Sequence, residues 1–319
     1  MKQSVVLMGT PSFCVPILEG LVKDKYQIKA VVTQPDRPVG RKHLLSESPA
    51  KKAAQKFNIP VLQPQKLGGS HEMDQVIKIA PDFIITAAYG QFLPTKLLNA
   101  AKIAAVNVHG SLLPKYRGGA PVQYAIMNGD DQTGITIMYM AKKMDAGDII
   151  DEQSVQITKT DNTQTMFKKL SFVGRDLLLK TLPKIVNGSV KPIKQDESKV
   201  VFSPNIKRSE ERLNFNQSAT LIDDKVRALY PDPISYVILK NKRTKIFETT
   251  PLNEHTDKKP GTVVEKDKHH LKIAAGKNSV IEINVLQPAG KHKQKINDYL
   301  NGAGQNIKVG DQIINNDNK

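Results

Sequence analysis

Asn107-Val108-His109-Gly110-Ser111-Leu112-Leu113-Pro114 places an amide and an imidazole two residues apart, and Met144-Asp145-Ala146-Gly147-Asp148 later supplies a carboxylate in a turn. The apolar run Ala104-Ala105-Val106 reads as a buried strand that delivers Asn107 and His109 to its end. Alternate residues on a strand face the same side, so both side chains share one cleft. Pro114 cannot join a ladder and stops the strand. An amide, an imidazole and a carboxylate on loops suit acyl transfer to an amine. In a transfer of that kind the acceptor amine would itself be the nucleophile, so no Ser or Cys nucleophile would be required. Its pKa of roughly 8 leaves part of it neutral and able to attack at pH 7. Asn107 offers a donor to the tetrahedral oxyanion, and one such donor contributes about 2.7–4 kcal/mol. His109, if protonated, offers a charged one. Asp145 can hold and charge His109, or accept the amine's proton through a water. Each residue alone also has an ordinary role: an Asn in a turn, a surface His, an Asp that forms a turn before Ala-Gly. Their combination is what points to chemistry.

The elements that must position these groups follow from periodicity and turn residues. Strands are predicted over 3–8, 27–33, 60–64, 83–88, 104–108, 134–140 and 148–157, and helices over 13–22, 49–57, 70–79, 121–127 and 163–186. Between the second strand and the second helix lies a polar loop, Gln34 to Ser48. This alternation predicts an α/β fold with a Rossmann-like, mostly parallel sheet and helices on both faces. Such sheets bind ligands outside their C-terminal strand ends. Gly9-Thr10, Tyr89-Gly90, Asn107/His109 and the Asp145 turn all fall at or beyond such ends. A lone Gly9 followed by Thr-Pro lacks the G-x-G-x-x-G spacing, so NAD is not expected. After Asn187-Gly188-Ser189 the composition turns polar. The predicted organisation is a catalytic domain over 1–189, a linker over 190–208, and a C-terminal domain over 209–315 with one helix (218–229) and several short strands forming a small barrel. The tail from Asn315 is expected to fray.

A length of 319 residues fits two domains. Lys+Arg number 47 against 31 Asp+Glu, a net charge of +16. Residues 1–205 carry 27 against 17 (+10) and residues 206–319 carry 20 against 14 (+6), so the excess is spread over the chain. Such a field favours a polyanion such as RNA or DNA, although a basic, soluble surface explains it equally well. No run approaches eighteen apolar residues, so no membrane span is expected. Met1 to Gly9 reads as a first strand, too soon broken for a signal peptide. The single Cys14 excludes an internal disulfide framework, fits a reducing cytoplasm, and reads as a small packing residue.

The stretch Asn107 to Pro114 continues as Lys115-Tyr116-Arg117-Gly118-Gly119-Ala120-Pro121, and together they resemble the signature of the folate-dependent formyltransferases. Gly9-Thr10-Pro11-Ser12-Phe13, Gln34-Pro35-Asp36-Arg37-Pro38 and Asp145-Ala146-Gly147-Asp148 resemble the branch whose acceptor is methionine on initiator tRNA. The resemblance covers essentially the whole chain. It implies a Rossmann-like catalytic domain, a C-terminal OB-like tRNA-binding barrel, and formyl transfer from 10-formyltetrahydrofolate to the methionyl α-amine, with no metal. It implies that Asn107, His109 and Asp145 are catalytic. It further implies that Ser111, Leu112, Leu113 and Pro114 contact tetrahydrofolate, and that Tyr89, Gly90, Gln91, Phe92 and Leu93 hold the pterin through backbone groups. The resemblance also implies that Arg37 and Arg41 fall in an inserted loop that reaches the tRNA acceptor end. Lys42 and the pair Lys207-Arg208 are further candidates for phosphate contact, with solvated surface charge as the plainer role. The loop departs from the family pattern after Lys42, where His43-Leu44-Leu45-Ser46-Glu47 lacks the further basic residues often found there. Gly110 stands where Ala is common.

A monomer in the cytoplasm is expected. One alternative is a folate-dependent formyltransferase acting on a nucleotide-linked amino sugar or glycinamide ribotide, which would not need a basic barrel. Another, of a different class, is a non-catalytic nucleic-acid-binding protein. Against it, Phe215, Tyr230, Tyr236, Phe247 and Tyr299 are scattered and form no stacking row.

Overall fold

The computed structural model describes residues 2–39 and 44–316. The chain divides into two compact units: Met1–Pro121, Gln132–Gln156 and Met166–Pro204 form one, and Val122–Asp131, Ile157–Thr165 and Asn205–Lys319 the other. In chain order the first part contains β1 (Ser4–Gly9), α1 (Cys14–Lys23), β2 (Gln27–Val32), β3 (Arg37–Val39), β4 (Leu44–Ser46), α2 (Pro49–Lys56), β5 (Val61–Leu62) and α3 (His71–Ile79). It continues with β6 (Phe83–Ala87), α4 (Thr95–Leu98), β7 (Ala104–His109), α5 (Pro121–Met127), β8 (Gln132–Tyr139), β9 (Ile149–Gln156) and α6 (Thr163–Val186).

Seven strands of the first unit form one sheet in the order β5-β2-β1-β6-β7-β8-β9. The first five run parallel, whereas β8 and β9 are antiparallel additions at one edge. Continuous apolar runs are what a sheet covered on both faces requires, and Val5 to Met8 and every residue of β6 are buried. Ser48 and Ser70 cap α2 and α3 by accepting from the backbone N–H groups of Lys51 and Met73, and Pro49 occupies the first helical position. The winding reverses between β1 and β6, which is the switch point where open α/β sheets bind ligands. At that point a Cβ on Gly9 would lie 2.6 Å from the Cβ of Cys14. Cys14 is fully buried beneath this turn, and burial pushes its thiol up to about 12.

The second unit contains α7 (Ala219–Ala228), β10 (Tyr236–Leu239), β11 (Lys242–His255), β12 (Val263–Lys266), β13 (Leu271–Ala274), β14 (Ser279–Pro288), β15 (Gln294–Lys295) and α8 (Ile296–Leu300). The sheet order is β10-β11-β14-β13-β12, with β15 on β14. Residues 312–314 bridge antiparallel to Leu239 on one edge strand and to Thr262 at the head of the other, which closes the sheet into a barrel. Phe215, Ile222, Val226, Val237, Ile246, Ile273, Ile281 and Ile283 fill its core.

Three local expectations need correction. The polar loop after β2 folds back as the β3–β4 hairpin, with Arg37 opposite Ser46 and Val39 opposite Leu44. Strand β11 runs fourteen residues, far longer than the short strands expected in this domain. Register shifts between Ile246 and Thr249 break its alternation, so period counting stops early. The tail is anchored as far as Asn316, whose Oδ1 accepts from the Phe215 N–H at 2.9 Å. Residues 190–204 of the polar connecting stretch belong to the first unit, where the N–H of Arg117 donates to the carbonyl of Val201 at 2.9 Å. Among the described residues, no helix is long and apolar enough to cross a membrane.

Candidate active site

Strand β7 alternates, so Val106 and Val108 point into the core while Asn107 and His109 share the other face. Register against β6 sets Thr86 beside Asn107. The Thr86 hydroxyl donates to Asn107 Oδ1 at 2.7 Å, and this fixes the amide with its Nδ2 donor toward Asp145 Oδ1, 3.5 Å away. His109 Nε2 lies 3.0 Å from the carbonyl oxygen of Tyr116. A carbonyl can only accept, so Nε2 carries a hydrogen. Nδ1 is therefore the ring nitrogen left to face Asp145, whose Oδ1 is 3.9 Å away. The other carboxylate oxygen accepts the Gly118 N–H at 2.9 Å. His109 and Asp145 are 6% and 14% exposed at their side chains, so the cluster is screened from bulk water but reachable.

Asp145 arrives by an unexpected route. Because β8 runs antiparallel, its C-terminal end lies at the level of Val106, halfway along β7, and not beyond the parallel strand ends. The 140–148 loop must fold over the β7 face to bring the carboxylate back. It does so tightly. Asp145 takes a left-handed φ of 49°, a region Asp tolerates better than most residues. Gly147 packs so closely that a Cβ there would sit 1.7 Å from the Tyr139 carbonyl oxygen.

The loop is tied down from behind. Gln195 Nε2 donates to the carbonyls of Asp145 and Gly147 at 2.9 and 2.7 Å. Gln195 Oε1 accepts from Arg117 Nε and Nη2 at 3.0 and 2.8 Å. Arg117 Nη2 also reaches Glu197 at 2.9 Å, and Lys143 reaches the other Glu197 oxygen at 2.8 Å. These two cations hold the Glu197 carboxyl down at about 2.

The segments expected to receive the formyl donor are firmly built. Ser111 is fully buried, and its hydroxyl donates to the Lys115 carbonyl at 2.7 Å, so it shapes its own turn. The Leu113 N–H donates to Thr136 Oγ1, which lies 2.7 Å from Glu152 Oε1, and burial raises the Glu152 carboxyl. In the 89–93 loop, the Tyr89 carbonyl accepts from Thr10 and Gln34, and Gln91 Oε1 accepts the Leu67 N–H. Tyr89 and Leu93 are buried, and Phe92 stands 60% exposed. Of the candidate phosphate contacts, Arg37 is exposed on β3 and donates to Gln34 Oε1 at 3.1 Å. Lys207 and Arg208 are exposed at the short 3-10 turn Arg208–Glu211 of the second unit. Arg41 and Lys42 lie outside the described residues. Among the described residues, no group of three or more His, Cys, Asp or Glu could hold a metal ion.

Sequence reasoning passed over Thr86, Tyr116, Gly118 and Gln195. The first three lay in stretches already singled out and could have been nominated as neighbours. Gln195 had no signal in the chain, since only folding returns residue 195 to residue 145.

The amino-terminal formyl transferase family model matches residues 1–182, and the model for the formyl transferase C-terminal domain matches residues 205–304. The methionyl-tRNA formyltransferase of Limosilactobacillus fermentum is 60% identical over 316 residues, covering 99% of this chain and 100% of that protein. The enzyme of that name from Ligilactobacillus salivarius is 59% identical over 312 residues, 98% of each chain. Among solved structures, the sugar 3N-formyl transferase WlaRD, crystallised with dTDP and 5-N-formyl-THF, matches with a TM-score of 0.68 at 19% identity, covering 92% of this chain and 100% of that one. An N-formyltransferase from Helicobacter canadensis, in complex with folinic acid and dTDP-3-aminofucose, matches at 0.66 and 20% identity over 90% of this chain and 100% of that one. At such identities these two structures speak for the fold alone. With both domain models matched and relatives alike end to end, the chain belongs to the methionyl-tRNA formyltransferase family.

Proposed function

We propose that this protein transfers the formyl group of 10-formyltetrahydrofolate to the α-amine of methionine carried by initiator tRNA, in the cytoplasm and as a monomer. The observation that carries the reading is the convergence of Asn107, His109 and Asp145, with Asp145 Oδ1 3.5 Å from the amide and 3.9 Å from the imidazole. The amine attacks the formyl carbon, an N–C bond forms, and the carbonyl electrons move onto oxygen. Asn107 Nδ2, locked outward by Thr86, donates to that oxyanion. The C–N10 bond of the folate then breaks, and N10 leaves with the electron pair. The proton the amine loses equals the one N10 takes up, so a single carrier closes the count. His109 Nδ1 is the free nitrogen of the ring and serves as that carrier, with Asp145 stabilising the ring while it is charged. Residues 89–93 and 111–114 hold the folate. Arg37, Arg41, Lys42, Lys207 and Arg208, together with the C-terminal barrel, contact tRNA phosphates. A monomer suffices because the trio and its supports come from one chain.

The deciding assay is formyl transfer to methionyl initiator tRNA, with and without 10-formyltetrahydrofolate, beside the same assay with an aminosugar nucleotide and glycinamide ribotide. Asp145→Asn and His109→Ala should each lower turnover by several orders of magnitude, with substrate affinity little changed. Near-normal turnover in either variant would remove the role assigned here. Binding of tRNA should weaken steeply with salt, as phosphate contacts require.

A further inference from the structure

The stretch between the two matched domains, residues 183–204, is covered by neither family model. It nonetheless carries Gln195, which touches the loop of the proposed catalytic carboxylate. Every polar valence of this side chain is used. Its two N–H groups meet the Asp145 and Gly147 carbonyls, and its oxygen meets two nitrogens of Arg117. The amide has one workable orientation, since reversing it would set its oxygen against two carbonyls and its NH₂ against a guanidinium. Gln195 is 5% exposed, and the Arg117 side chain is fully buried.

The contacts bracket Asp145 on both sides. Gln195 grips the backbone at 145 and 147, and Glu197 grips Lys143. Gly118, next to Arg117, donates to the carboxylate itself. Of these supporting contacts the Gly118 bond reaches the carboxylate, and the others set the height and rotation of a turn whose central residue sits at φ 49°. Such a backbone persists only where its surroundings over-determine it.

We infer that Gln195, held by Arg117, is a positioning residue that aims the Asp145 carboxylate at His109 and Asn107. This rests on the catalytic role proposed for Asp145. The segment 190–204 is then part of the catalytic apparatus, and not merely a connection between domains.

The test is a double-mutant cycle in the full-length enzyme with Gln195→Leu and Asp145→Asn, measured as kcat and KM for both substrates. A carboxylate displaced by about 1 Å loses on the order of 100-fold. Gln195→Leu should therefore lower kcat about 100-fold while leaving both KM values nearly unchanged. In the Asp145→Asn background it should cause no further loss, because it acts through the group already removed. Undiminished kcat in Gln195→Leu, or a loss that multiplies with that of Asp145→Asn, would overturn the inference. If Gln195→Leu does not fold, Gln195→Glu keeps an acceptor for Arg117 while turning a carboxylate oxygen on the two carbonyls, and the same two outcomes decide. Near-normal kcat in Asp145→Asn alone would instead defeat the proposed role of Asp145.

Discussion

Adding one methyl group at Gly147 tests how narrowly the carboxylate must be placed. An ideal Cβ at this position falls 1.7 Å from the Tyr139 carbonyl oxygen. Ordinary carbon–oxygen contact begins near 3.4 Å, so something must move by roughly 1.7 Å. Tyr139 is held in β8 and paired with Val106 of the central sheet, whereas residues 140–148 form a loop. The loop is the part that yields, and Asp145 lies two residues from the added methyl. Misplacement by about 1 Å can cost 100-fold, so Gly147→Ala should lower kcat by at least about 100-fold, or about 2.7 kcal/mol of activation free energy. Overpacking of this kind costs about 1–3 kcal/mol of stability, which leaves a folded protein to assay. The measurement is single-turnover formyl transfer at saturating concentrations of both substrates, alongside a thermal melt. Gly188→Ala is the control. Gly188 has φ 72° with no atom within 4 Å of an added Cβ, so that variant should lose roughly 1–2 kcal/mol of stability and no activity. Turnover within twofold of wild type in a folded Gly147→Ala enzyme would refute the claim that this turn sets the position of Asp145.

Three further outcomes follow from the same geometry. Thr86→Val removes the donor that orients the Asn107 amide at nearly constant volume, and should lower kcat about tenfold, equivalent to about 1.4 kcal/mol; unchanged turnover would show that Asn107 is oriented by other means. Among the described residues the buried Tyr89 hydroxyl has no hydrogen-bond partner, and burial pushes it up to about 12, so Tyr89→Phe should stabilise the fold by about 1 kcal/mol in chemical denaturation while the backbone of residues 89–93 stays in place. A loss of stability would mean the hydroxyl has a partner. Glu197 titrates at about 2 in the folded chain against 4.5 ordinarily. A depressed carboxyl adds stability that is fully present above pH 4.5 and lost as pH falls through about 2. The stability gap between wild type and Glu197→Gln should therefore narrow across that window, and a gap independent of pH would count against the Arg117–Glu197–Lys143 arrangement.

Much of the fold was legible because the parallel strands are buried on both faces and their helices carry local start signals. Val5 to Met8 is an unbroken apolar run, Phe83 to Ala87 is apolar except for Thr86, and Ser48 before Pro49 and Ser70 before α3 mark helix starts chemically. The pairing of Asn107 with His109 was legible for the same reason, since the strand period alone puts them on one face. The β3–β4 hairpin and the length of β11 were not legible. One is too short for a pattern, and in the other, register shifts interrupt the alternation.

Which residues could do chemistry was written in the chain: an amide, an imidazole and a carboxylate within motifs long enough to be specific. What tertiary structure alone decided is how they meet. The antiparallel turn of β8 sends Asp145 out halfway along β7, and it returns only because the loop closes on Gly147 and is gripped by Gln195, fifty residues on. Contacts across such separations depend on sheet order and loop closure, which no local period or propensity encodes. The carboxylate's identity therefore belongs to the sequence, and its aim belongs to the fold.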